Sequence, residues 1–252
     1  MSYAPMSSNR YALALHTSSP ELGLALSNFS GDSRHATWDL GRSLSTDLHY
    51  YLQDFLQPQG WSDLAFLAVA KGPGGFTGTR IGVVTARTLA QQLDIPLFAI
   101  SSLAAFAYSV GDRLPLETKG TGSASTVDIA VQMPAQRGEL FAAIYGTHAI
   151  TPTPSSEPRL DSSSEPSSDP GQQPNPVPTP AWTALFPDAV LTPEQWQQTL
   201  EQWQRPYRLL HADSNLGDSV TSLLHLAYQE WCSNLRPLWS EALPFYGQHP
   251  VV

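Results

Sequence analysis

Short apolar runs bounded by turn residues predict strands along the first hundred residues. Tyr11–Thr17 and Gly23–Leu26 flank the turn Ser18–Pro20, and this arrangement predicts an opening hairpin. Leu64–Ala70 is apolar throughout, which is typical of a central strand that is buried on both faces. Pro96–Ile100 predicts one more strand.

Apolar residues with a 3.6-residue period predict helices between these strands. The periodic segments are Ser43–Gln57, Thr77–Leu93 and Ser101–Val110, the last capped by Ser101 or Ser102. The polar stretch around residues 34–38 carries no such pattern. Strands therefore alternate with helices after the opening hairpin, which indicates an α/β arrangement.

The second half of the chain repeats this plan. Thr126–Met133 and Gly138–Tyr145 predict a second hairpin, and Tyr207–Ala212 predicts a further strand. A helix is expected from Thr192, where T-P-E-Q supplies an N-cap and a capping-box glutamine. A longer helix is expected over 220–231. Two sets led by hairpins predict two lobes of related topology.

A Pro/Ser-rich segment interrupts the second set. Between Thr151 and Pro180, nine residues are proline and seven are serine, too little apolar area to offset the entropy of ordering. We predict a disordered insertion over 148–181. The predicted first lobe is 1–112 together with the C-terminal tail 240–252, and the second lobe is 113–239.

Charge and cysteine content restrict the function classes. The net charge of the 252 residues is −9, and only Lys71 and Lys119 are lysines, so the chain alone should bind nucleic acid or an anionic membrane poorly. The single cysteine, Cys232, excludes an internal disulfide and a cysteine zinc site. We expect a cytoplasmic protein, because the sequence has no long apolar run and its first residues lack the features of a secretory signal.

A glycine-rich turn follows the predicted central strand. It comprises Gly72, Gly74, Gly75, Thr77 and Gly78. The sequence matches neither the P-loop pattern, which needs a lysine after its last glycine, nor the G-x-G-x-x-G pattern of dinucleotide sites. A helix N-terminus at this place would still suit an anion. The simpler hypothesis is structural, because glycines permit a tight turn and close packing of helix on sheet.

The block GPGGFTGTRIGVVTARTLAQQLDIPLFAISSLAAFA resembles the signature of the TsaB (YeaZ-type) family. That family usually reads G-P-G-S-F-T-G-x-R-I-G, so Gly75 stands at its usual serine. LALHTSSPELGLAL, GELFAAIY and EALPFYGQHPVV are similar to the family's first hairpin, a later strand and the closing segment. The family is the non-catalytic partner subunit in bacterial synthesis of tRNA threonylcarbamoyladenosine.

The resemblance implies an actin-like ATPase (ASKHA) fold, α/β, of two ribonuclease-H-like lobes with mixed sheets and flanking helices. It implies binding to a TsaD-type catalytic subunit and a TsaE-type ATPase, a homodimer when the chain is alone, and only indirect contact with tRNA. It implies no cofactor or metal of its own, and leaves a nucleotide at the partner interface open.

The predicted partner interface lies on the helices 43–57 and 77–93, where Gly82 and Ala86 would allow close approach. Both apolar stripes could instead cover their own sheet, and the residues alone do not decide between these readings; the resemblance favours an interface. The predicted interface residues are Leu44, Leu48, Phe76, Arg80, Ile81, Val84, Thr85 and Thr88.

His16 replaces the aspartate that actin-like ATPases carry at the end of the first strand to orient Mg²⁺ and water. The metal-binding H-x-x-x-H pair of the catalytic sibling is replaced here by Leu44 and Leu48. We therefore predict no catalytic residue. The alternative hypothesis is a stand-alone enzyme of this fold, either a glycoprotease-like peptidase or an ATPase.

Overall fold

The computed structural model describes residues 6–111, 127–149, 180–213 and 215–247. The strands are β1 (Tyr11–His16), β2 (Glu21–Ser27), β3 (Ser33–Asp39), β4 (Leu64–Ala70), β5 (Leu97–Ile100), β6 (Asp128–Pro134), β7 (Leu140–Ala149), β8 (Pro180–Leu191) and β9 (Tyr207–His211). The helices are α1 (Leu44–Leu56), α2 (Phe76–Leu93), α3 (Ser102–Gly111), α4 (Pro193–Gln202) and α5 (Val220–Cys232).

The two sheets share one topology. The first sheet has the strand order β3-β2-β1-β4-β5, in which β1–β2 and β2–β3 are antiparallel whereas β1–β4 and β4–β5 are parallel. The second sheet has the order β8-β7-β6-β9, again a three-strand antiparallel meander with a parallel strand beside its first member. The prediction of two lobes with related topology is confirmed.

The first sheet is covered on both faces, as the fully apolar sequence of β4 predicts. Every residue of β4 is buried. Leu13 and Leu15 of β1 pack in one cluster with α1 and α2, whereas Ala12 and Ala14 belong to a second cluster that includes α3 and α5. This alternation follows from the two-residue period of side chains along a strand.

Strand β3 was not predicted from the sequence. Its residues Ser33–Asp39 pair in register with β2, from Glu21↔Asp39 to Ser27↔Ser33. All seven are exposed or half-buried, because β3 is the edge strand of the sheet. A polar edge strand has no buried face to give it an apolar pattern, so only its pairing to β2 reveals it.

The predicted bounds of the insertion are wrong at both ends. Residues 148–149 belong to β7 and 180–181 to β8, and the two strands pair as far as Ala149↔Pro180. The prolines of β8 conceal it in the sequence, but β8 is an edge strand, where a missing amide hydrogen is tolerated. The rest of the predicted insertion, 150–179, lies outside the described residues, as do the last five residues of the tail.

Two helix starts agree with the predicted caps. Thr192 accepts a hydrogen bond from Gln195 N, and the Gln195 side chain accepts one from Thr192 N, which completes the capping box of α4. Ser101 Oγ accepts from Ala104 N at 3.2 Å, so Ser101 rather than Ser102 caps α3.

Helix α5 corrects the predicted lobe boundary. It lies in the sequence range assigned to the second lobe, yet it packs on β1, β2, β4 and β5 of the first sheet and beside α3. The apolar face of α5 therefore covers the sheet face opposite α1 and α2. The predicted boundary between residues 112 and 113 lies in a range outside the described residues.

Candidate functional site: the glycine turn and the outer face of α2

The glycine turn connects the end of β4 to α2 and is fixed to the start of α3. Lys71 N donates to Ile100 O at 2.8 Å, and Ser102 N donates to Gly72 O at 2.9 Å. Gly72 has a φ of +97°, and a Cβ at this position would lie 2.6 Å from Phe245 O. Both the left-handed backbone and the close approach of the C-terminal segment require glycine here.

The rest of the turn packs on the residues that follow β1. Gly75 N donates to Ser18 O at 2.7 Å, and Thr17 Oγ1 donates to Gly78 O at 2.8 Å. A Cβ on Gly78 would collide with Thr17 O. These contacts support the structural role of the turn, because they place the helix start directly against the sheet. An anion site at this turn, with Thr77 exposed beside it, stays a prediction.

Helix α2 has one face in the core and one face toward solvent. The buried face comprises Thr79, Gly82, Val83, Ala86 and Ala90. Gly82 and Ala86 therefore serve packing of α2 on its own sheet, where a Cβ on Gly82 would collide with Thr17. The expectation that these small residues admit a partner helix is wrong.

Four of the eight predicted interface residues form a single exposed row along α2. Phe76, Arg80, Val84 and Thr88 recur every four residues and are all exposed; we call this row the outer stripe. Phe76 is 52% exposed and Val84 is 53% exposed, which is high for large apolar side chains. Ile81 and Thr85 are half-buried, and Ile81 packs against the core beneath.

Leu44 and Leu48 lie in the core rather than at the surface. Both are 4% exposed and pack with Leu52 and Leu56 on the same face of α1. Their four-residue spacing is the spacing of the buried face itself, so they cannot contact a partner while α1 remains packed. The most exposed large apolar side chain of α1 is Tyr50, at 64%.

The C-terminal segment also borders the outer stripe. Phe245 N donates to Lys71 O at 2.6 Å, and the ring of Tyr246 lies 4.5 Å from the ring of Phe76 between centroids. Gly247 lies so close to Val190 and Phe141 that a Cβ there would collide with them. The segment thus runs from the glycine turn to the second sheet. No periodicity in the sequence indicated this contact.

His16 is buried at the end of β1. Its side chain is fully inaccessible, and neither ring nitrogen has a hydrogen-bond partner among the described residues. Burial lowers the pKa of His16 to about 4, so the imidazole is neutral at pH 7. The described residues contain no group of three or more side chains able to hold a metal ion.

A cluster of three polar side chains joins the two lobes, and sequence reasoning missed it. Asp188 Oδ1 accepts hydrogen bonds from Ser101 Oγ at 2.9 Å and from Tyr145 OH at 2.8 Å. Burial raises the pKa of Asp188, although these bonds and the charge of Lys71 oppose that shift. Asp188 lies in β8, the strand that the sequence concealed, and no sequence signal linked the three residues.

The fold is similar to that of solved structures. Two lobes built on sheets of one topology, with helices on their faces, form the actin-like α/β fold. A structure of a Pseudomonas aeruginosa protein with similarity to the peptidase YeaZ matches with a TM-score of 0.64 at 22% identity, over 95% of this chain and 100% of that one. The YeaZ structure from the same organism matches with a TM-score of 0.63.

Sequence relatives share one name. The tRNA threonylcarbamoyladenosine biosynthesis protein TsaB of Bacillus subtilis is 52% identical over 61 residues, which are 24% of this chain and 25% of that protein. The Haemophilus influenzae TsaB is 33% identical over 101 residues, 39% of this chain and 42% of that protein. The matches thus span from about a quarter to less than half of each relative's length.

A family model also matches part of the chain. Residues 47–118 match the model described as TsaD, tRNA N6-adenosine threonylcarbamoyltransferase. Parts of the chain are thus similar in sequence to relatives named TsaB, and its fold is similar to that of the structures named YeaZ.

None of the helices in the described part of the chain combines the length and the apolar character that a membrane span requires.

Proposed function

We propose that this chain is an accessory subunit in tRNA threonylcarbamoyladenosine modification, and that it binds and stabilises a TsaD-type catalytic subunit through the outer stripe of α2. The relatives named TsaB support the pathway. The observation that carries the binding role is the exposure of Phe76 and Val84 on a helix whose opposite face already covers its own sheet.

The geometry of the outer stripe suits helix pairing. Residues four apart form a continuous ridge on a helix, and such ridges fit between the side chains of a neighbouring helix. The sequence of this chain matches the TsaD family model over residues 47–118, a range that includes α2 and most of α1. That likeness favours pairing of similar helices. We infer that the chain pairs with itself through the same stripe when the partner is absent.

The charge of the chain supports an indirect role toward tRNA. With a net charge of −9, the chain has little basic surface to neutralise phosphates, so the partner would supply it. A TsaE-type ATPase belongs to the proposed assembly through the same resemblance. We assign no cofactor to the chain alone, and any nucleotide would sit where the partner meets it.

The proposal also holds that the chain is not the transferase. The neutral, fully buried His16 stands where actin-like ATPases carry a carboxylate, and it has no hydrogen-bond partner among the described residues. A buried neutral imidazole cannot replace a charged, solvent-facing carboxylate in holding Mg²⁺.

The test is binding to the cognate TsaD-type protein, measured by calorimetry and by size-exclusion chromatography. Val84→Glu places a charge in the middle of the outer stripe, where burial against a partner would desolvate it. We expect Kd to rise at least about tenfold. Val127→Glu is the matched control, because Val127 is also 53% exposed and lies directly before β6 in the other lobe. Equal affinity of the two variants would contradict the assigned interface.

A further inference from the structure

Three polar side chains from different parts of the chain meet between the lobes. Ser101 caps α3 beside the first sheet, whereas Tyr145 and Asp188 belong to β7 and β8 of the second sheet. Both hydroxyls lie within hydrogen-bond distance of Asp188 Oδ1, and they lie 3.1 Å from each other. One carboxylate oxygen therefore accepts two hydrogen bonds: the bond from Ser101 joins the two lobes, and the bond from Tyr145 lies within the second.

The residues beside Ser101 hold the glycine turn. Ile100 O accepts from Lys71 N at 2.8 Å, and Ser102 N donates to Gly72 O at 2.9 Å. Backbone hydrogen bonds from the two neighbours of Ser101 thus hold Gly72, the first residue of the turn, and Lys71, which precedes it. The turn leads directly into α2, whose first residue, Phe76, opens the outer stripe.

The surroundings of Asp188 strengthen this connection. Burial raises the pKa of Asp188, whereas its bonds to Ser101 and Tyr145 and the charge of Lys71 oppose that rise. An ionised carboxylate is a stronger acceptor for hydroxyl donors than a neutral group. Asp188 is half-buried, so its bonds to Ser101 and Tyr145 are partly shielded from water.

We propose that Asp188 is a positioning residue for the outer stripe: by holding Ser101 and Tyr145 together it fixes the glycine turn and the start of α2, so partner affinity depends on a side chain on a strand of the other lobe. This inference rests on the proposed partner binding. It adds that contacts from both lobes fix the position of the outer stripe, and not contacts within the first lobe alone.

The test compares two substitutions at one position. Asp188→Leu removes the acceptor, whereas Asp188→Asn keeps an oxygen that can accept from both hydroxyls. We expect Asp188→Leu to raise Kd for the cognate TsaD-type protein roughly five- to tenfold, mainly through faster dissociation. Asp188→Asn should stay within about twofold of wild type. If Asp188→Leu does not fold, Tyr145→Phe removes one of the two bonds and should give a smaller loss in the same direction.

A control separates positioning from general loss of stability. Trp196 Nε1 donates to Gln132 Oε1 at 2.8 Å within the second lobe, away from the glycine turn. Gln132→Leu should therefore lower the thermal midpoint with Kd unchanged. A Kd for Asp188→Leu equal to that of wild type or of Gln132→Leu would overturn the inference.

Hydrogen exchange in the free chain gives a readout that needs no partner. The amides of Gly75 and Thr79 are hydrogen-bonded at the turn and in the first turn of α2. Asp188→Leu should speed their exchange, and Asp188→Asn and Gln132→Leu should not. Unchanged exchange at both amides would also overturn the inference. If wild type fails to bind the TsaD-type protein while exchange responds as expected, the proposed function fails and the structural connection stands.

Discussion

His16 is a titratable side chain whose folded environment opposes its charge. Its pKa is about 4 in the folded chain, against 6.5 for a free histidine, and burial is the cause. The unfolded chain therefore binds a proton between pH 6.5 and 4 that the folded chain does not. Well above pH 6.5, titration of His16 should add no pH dependence to the free energy of unfolding. As the pH drops from 6.5 toward 4, that free energy should fall by about 3 kcal/mol in total because of His16.

The measurement is the free energy of urea unfolding at a series of pH values for wild type and His16→Leu. The difference between the two curves isolates His16 from the carboxyl groups that titrate nearby. We expect that difference to change by most of the stated amount between pH 6.5 and 4. Parallel curves for wild type and His16→Leu would contradict the assigned pKa.

At the scale of residues, the sequence predicts what depends on neighbours along the chain. The caps at Thr192 and Ser101 are local, so both were readable. The pairing of Ser101 with Asp188 joins positions 87 residues apart, and a single sequence holds no trace of such a contact. Leu44 and Leu48 were wrongly predicted at the interface for another reason. An apolar stripe has the same sequence pattern whether its own sheet or another chain covers it.

The start of α2 packs against Thr17, which follows β1, and this contact positions the outer stripe. Alanine is favoured over glycine in a helix by roughly 1 kcal/mol, yet a Cβ on Gly78 would collide with Thr17 O. We expect Gly78→Ala to reduce the free energy of unfolding by roughly 2 kcal/mol, because the backbone of Thr17 must move. Equilibrium denaturation measures this loss.

Gly75→Ser is the matched control in the same turn. Gly75 precedes the helix with a φ of −61°, and its Cβ would lie 3.6 Å from Ser18 O, an ordinary contact. Serine is also a better N-cap than glycine by a few tenths of a kcal/mol. We expect Gly75→Ser to be neutral or slightly stabilising. Equal losses for the two variants would refute the close packing of Gly78.

At the scale of elements, apolar strands and amphipathic helices were predictable and polar edge strands were not. β4 and α2 were placed within one residue of their observed ends, because burial imposes their patterns. β3 and β8 lie at the edges of their sheets, so neither needs an apolar face or a full set of amide donors. The two missed strands share that physical reason.

The C-terminal segment links the lobes at the scale of the whole molecule. Phe245 pairs through its amide with Lys71 at the end of β4, and its ring packs against the core cluster that contains α5 and residues of the second sheet. Leu243, two residues earlier, is 63% exposed. Substituting Phe245 therefore tests the packing of the segment, and substituting Leu243 is a control in the same segment that removes no buried side chain.

We expect Phe245→Ala to reduce the free energy of unfolding by roughly 2 kcal/mol, since a half-buried aromatic loses part of what a fully buried one contributes. Leu243→Ala should stay within about 0.5 kcal/mol of wild type. Chemical denaturation followed by tryptophan fluorescence checks both, because Trp182 and Trp196 lie in the second lobe whereas Trp38 and Trp61 lie in the first. Two separate transitions in Phe245→Ala, against one in wild type, would mean that the segment makes the lobes unfold together. Equal stability of the two variants would mean that the sheets and α5 hold the lobes without it.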